Sequence, residues 1–228
     1  MKQLDEPPPS PNSYPAVRAH AFALLLGSIA SVLLMLRHPS VHSHRIADVL
    51  EELRRLSFGN GLVHGSLLVA MLVVFLGFLG LADRLGWRDP RVRSALLAQG
   101  AGFACMLFAA LINGFVIARI AASYAAVPAE ELTALEPTMV ALHAANQTAA
   151  QAGTIALSLS ILAWSLALFP RPGAARWIGL AGLLAGGLPI AGLLAGLLAL
   201  DVHGMGLVVL AEAAWNVAVA VWLLRTRE

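Results

Sequence analysis

The chain has 228 residues, of which 59% are apolar and only 12% charged. A soluble domain carries roughly 25% charged residues, so an ordinary water-soluble globule is excluded. The formal charge of +2 comes without a dense basic cluster, and Cys105 is the one cysteine. Those counts argue against nucleic acid as a partner and against a disulfide framework or a CxxC redox pair.

Residues 1–16, MKQLDEPPPSPNSYPA, are polar and Pro-rich. They lack the basic start and short apolar run of a cleavable signal, and read as a disordered cytoplasmic tail. The rest, 17–228, reads as one transmembrane domain. A bilayer-crossing helix needs about 20 apolar residues, and the first such block is about 17–36. A polar stretch follows, HPSVHSHRIADVLEELRRLSFGN. In it Ile46, Val49, Leu50, Leu53 and Leu56 recur at helical spacing, with Asp48, Glu51, Glu52, Arg54 and Arg55 opposite. That pattern predicts a short amphipathic helix, about 44–57, lying in the lipid interface.

Further apolar blocks run at about 61–82, 94–124, 138–169, 174–200 and 204–224. The fifth contains two GxxxG pairs, Gly182 with Gly186 and Gly192 with Gly196, around Pro189. Small residues let helices approach closely in lipid. The pairs predict tight packing, and also a docking face for a second copy or a membrane partner subunit. The predicted fold is therefore all-α: a polytopic membrane protein, six transmembrane helices with an interfacial helix between the first two, solvated by membrane lipids.

Arginines set the orientation. Arg84, Arg88, Arg91 and Arg93 follow the second block, Arg171 and Arg176 flank the PRPG turn, and Arg225 and Arg227 end the chain. Glu130, Glu131 and Glu136 mark the opposite side. Both termini are thus expected in the cytoplasm and the protein in the inner membrane. Arg37, Arg45, Arg54 and Arg55 in the first connection run against this rule.

With that threading, six of the seven histidines fall on the non-cytoplasmic side. His38, His42 and His44 read as solvated loop residues. His64, His143 and His203 come from three different helices, with Asp201 beside them. Imidazole suits Zn, Cu and Fe, and bundle sites take ligands from several helices. These four residues are therefore the expected metal ligands, with a transition metal (copper, iron or zinc) or haem b as the cofactor. Such a centre would suit a membrane-bound oxidoreductase. Asn146 and Gln147 would orient the imidazoles.

The fourth block carries a polar stripe, His143, Gln147, Gln151, Thr154 and Ser158, at steps of four, four, three and four. Lipid is a costly solvent for it. Gln99, Met106 and Asn113 share one face of the third block, and Glu212 and Asn216 are helical neighbours in the sixth. Glu212 and Asn113 predict a deeper polar site for a proton or small molecule, since a carboxylate within a span marks function by default. This second reading makes the protein a transporter or small-ligand binder. A third makes it a packing subunit of a larger complex.

Overall fold

The computed structural model describes residues 13–41, 43, 45–124, 126–128 and 131–225. His42, His44, Glu130, Arg227 and residues 1–12 of the expected tail lie outside them. The described secondary structure is entirely helical. Its six long helices are α1 (Ser13–Met35), α2 (Ile46–Leu85), α3 (Pro90–Ser123), α4 (Glu136–Leu168), α5 (Ala174–Leu194) and α6 (Val202–Arg225). All six contain a stretch long and apolar enough to cross a membrane.

Helix α1 takes in the last four residues of the expected tail, 13–16. The larger departure is in α2. Residues 46–57 do not form a separate helix: α2 runs unbroken for 40 residues through Gly59 and Gly61. At about 1.5 Å per residue it is roughly 60 Å long, twice a hydrocarbon core. The apolar face of its first turns is covered by protein. Leu50 clusters with Ala121 at the end of α3 and with Leu132 in the short 3₁₀ turn Leu132–Leu135. The outer face pairs its charges, with Arg54 bonded to Glu51 at 2.7 and 2.9 Å.

Chain turns are fixed by local chemistry. Asp89 caps α3, its carboxylate accepting from the Arg91 backbone N–H at 2.9 Å, and Pro90 takes the first helical position, where its missing N–H costs nothing. Arg91 and Arg171 donate to the carbonyls of Leu166 and Leu85 at 2.9 and 3.0 Å. They close the C-terminal ends of α4 and α2, which attract cations. Helix α5 stops at Leu194, short of the expected Leu200. Gly196 adopts φ +69°, and the N–H groups of Leu197 and Gly196 reach back to Gly192 and Leu193. This is the Schellman arrangement that ends helices at glycine. Asp201 then caps α6, accepting from the Gly204 N–H at 2.8 Å.

The helices pack as a closed ring in the order α2, α1, α6, α5, α4, α3 and back to α2. One end of the ring, where the first and last described residues lie, is solid. Phe78, Trp164 and Trp215 fill it, with Phe78 stacked on both indoles at centroid distances of 5.6 and 6.1 Å. Helix α5 seals its side through glycines. A Cβ on Gly182 would collide with Ser165 and Trp215, and one on Gly186 would lie 2.6 Å from the Ser158 carbonyl oxygen. The first GxxxG thus serves packing inside the chain, and the outward face of α5 is Trp177, Leu184 and Leu188.

Candidate functional site: a cavity open at the histidine end

The other end of the ring is hollow. A cavity of about 610 Å³ is lined from α1, α2, α3, α4, α6 and the connections beside them. The eight residues expected as ligands, as groups orienting them or as the deeper polar site all face it: His64, Asn113, His143, Asn146, Gln147, Asp201, His203 and Glu212. His143, Asp201 and His203 are exposed and stand at its mouth. Glu212 lies nine residues along α6 from His203, about 13 Å deeper at helical rise.

Sharing a cavity is not sharing an ion. Among the described residues no group of three or more His, Cys, Asp or Glu side chains is placed to hold a metal. The structure brings His64, His143, His203 and Asp201 to one cavity but does not place them as such a group. His64 is buried, whereas His143, His203 and Asp201 are exposed. Asp201 is further committed, because its carboxylate caps α6.

His64 instead meets a residue that the sequence assigned to solvent. The Nε2 atoms of His38 and His64 are 3.3 Å apart, and the rings meet edge to face. Each ring is fixed from behind. The Nδ1 of His38 donates to the Pro39 carbonyl at 2.8 Å and that of His64 to the Asn60 carbonyl at 2.9 Å. Burial holds the His38 pKa below its ordinary value of 6.5, against a smaller opposing effect of the Pro39 bond. The Asn113 side-chain amide reaches His64 Nε2 at 3.2 Å, and the Asn113 carbonyl accepts from Asn60 Nδ2 at 2.8 Å.

This corner exists because α3 is irregular here. Residues Ile112–Val116 form a π-helical turn, with Ile117 N–H bonding Ile112 five residues back. Such turns are rare and recur at functional sites. The turn presents Asn113 to α2, and Gly114 lets His64 close in: a Cβ on Gly114 would lie 2.5 Å from the His64 Cβ.

Deeper in the cavity the walls are apolar, with Met71, Phe78, Phe103 and Met106, set with isolated polar groups. Ser28 Oγ, Thr154 Oγ1, Glu212 Oε1 and Asn216 Oδ1 are buried without a hydrogen-bond partner. Gln99 also faces the cavity and accepts from Ser160 at 2.8 Å. The expected face of α3, Gln99 with Met106 and Asn113, is the one that lines it. On α4 the lining positions are 143, 146, 147, 150, 154, 157 and 161. Gln151 is exposed outside the cavity, and Ser158 is buried beneath α5. No Lys or Arg lines the cavity among the described residues.

Comparison with protein-family models, with curated proteins and with solved structures finds no match. What the cavity does must therefore be argued from its own chemistry.

Proposed function

We propose that the protein is a multi-pass membrane protein of the inner membrane, both termini cytoplasmic, that binds a small lipophilic cation in this cavity. Supporting the orientation, the arginine-bearing turns after α2 and α4 lie at the solid end of the ring. Two of the four arginines of the first connection, which run against the rule, stand beside acids: Arg54 pairs with Glu51, and Arg45 is 4.0 Å from Asp48.

One observation carries the choice of ligand: Glu212 Oε1 is buried without a hydrogen-bond partner in a largely apolar part of a cavity that no Lys or Arg lines among the described residues. A buried carboxylate is costly unless it is paired. A ligand's ammonium or phosphonium centre supplies the pairing. Phe78 and Phe103 offer aromatic faces, which attract cations, and Met71 and Met106 adapt to an irregular apolar body. The volume falls within the usual range for small-molecule sites, about 300–1,000 Å³. The open histidine end is the way in, and the Phe78–Trp164–Trp215 stack is the floor.

The test uses labelled tetraphenylphosphonium and purified protein in nanodiscs. Saturable binding is expected, with neutral triphenylphosphine oxide a poor competitor. Glu212→Gln should weaken binding about tenfold or more, which is about 1.4 kcal/mol. Equal competition by the neutral compound, or unchanged affinity in Glu212→Gln, would contradict the proposal.

A further inference from the structure

The pairing of His38 with His64 has an electrostatic consequence. A carbonyl oxygen can only accept a hydrogen bond. Pro39 and Asn60 therefore require a proton on each Nδ1. In the neutral rings both Nε2 atoms then carry bare lone pairs, 3.3 Å apart. Two acceptors at that distance repel unless a cation lies between or beside them. Asn113 relieves only one of the two, through its contact with His64 Nε2.

We infer that His38 Nε2 and His64 Nε2 are two ligands of a tetrahedral transition-metal ion of the Zn(II) type at the mouth of the cavity. Zn–N bonds of about 2.05 Å spanning a 3.3 Å separation subtend an angle of about 107° at the metal, close to tetrahedral. Both rings already have the protonation pattern of metal-bound imidazole, with Nδ1 donating to a carbonyl and Nε2 left without a proton. Asn113 can turn its amide to offer oxygen as a third ligand. The fourth position faces the cavity and is left to water or to an incoming ligand, the open coordination that distinguishes reactive zinc sites from structural ones.

The same distance excludes two alternatives. Linear coordination, and a haem iron held from opposite sides, both need trans nitrogens about 4 Å apart. A porphyrin would also have to pass between rings whose centroids are 4.8 Å apart. The inference rests on the imidazole pair and is independent of the cation reading of Glu212.

The experiment is titration of the metal-free protein in nanodiscs with Co(II) and then Zn(II). Co(II) should give the intense visible absorption of a tetrahedral site, saturating at one ion per chain, and Zn(II) should bleach it. His38→Ala and His64→Ala should each weaken binding by roughly tenfold or more, and Asn113→Ala less. His143→Ala and His203→Ala should leave it intact. Thermal unfolding and gel filtration of the His38 and His64 variants check that they are folded. No saturable absorption in the wild type means that the pair shares only a proton, and overturns the inference. Loss of binding in His143→Ala with retention in His38→Ala overturns the ligand assignment.

Discussion

Single residues at the mouth show how little chemistry periodicity can see. His38 follows α1 in a non-helical segment, so no repeat marked it, and a histidine before HSH reads as solvated. Its role depends on the chain folding back until its ring meets His64. Asn60 was hidden for a related reason. It is one helical turn from His64 and fixes both that ring and Asn113. Gly59 and Gly61 on either side argue for a break in the helix, since glycine costs about 1 kcal/mol in a helix interior, and packing overrides that cost. Gly114 is the residue on which the corner depends. Gly114→Ala places a methyl against the His64 Cβ, and relief means moving the imidazole or parting α2 from α3. The substitution should lower stability by about 1–3 kcal/mol, as overpacking does, and should reduce the Co(II) signal. Thermal unfolding in detergent and the Co(II) titration measure the two effects. Unchanged values for both would show that His64 is not held by the π-turn.

Among the helices, those whose polar residues repeat with the helix were read best. Gln99, Met106 and Asn113 sit seven apart, and Glu212 and Asn216 four apart; all five face the cavity. On α4 the same logic drifted. A step of four residues advances about 400°, so two such steps rotate the position by about 80° from His143 to Gln151. Asn146 and Ala150 stay on the lining face and Gln151 leaves it. Residues 46–57 depart from the expected separate interfacial helix because an amphipathic segment reports that one face is covered, not by what. Here Leu132 and Ala121 cover it, where lipid was expected. Helix α5 offers a direct test of its glycines. Gly182→Leu cannot be accommodated between Ser165 and Trp215, whereas nothing lies within 4 Å of a Cβ on Gly187. The first change should destabilise the protein by about 1–3 kcal/mol or more. Gly187→Ala should be neutral or slightly stabilising, by up to about 1 kcal/mol. Equal effects in chemical or thermal unfolding would mean that α5 is not packed through that face.

For the molecule as a whole, composition and block length made the six helices legible, because each must be long and apolar by itself. The ring closure was not legible. It depends on which helix touches which, and with a single sequence only the polar residues hint that several helices face one space. The result is a cup, with an aromatic stack closing one end and polar groups entering from the other. That shape makes one access direction the central claim. It is tested most directly by Asn216→Cys in a Cys105→Ala background, probed with a small cationic thiol reagent in vesicles of both orientations. Asn216 lines the cavity and is only 8% exposed. The cup predicts modification from the histidine side alone, slowed by tetraphenylphosphonium. Modification from the opposite side, or from neither until the protein is denatured, would contradict it.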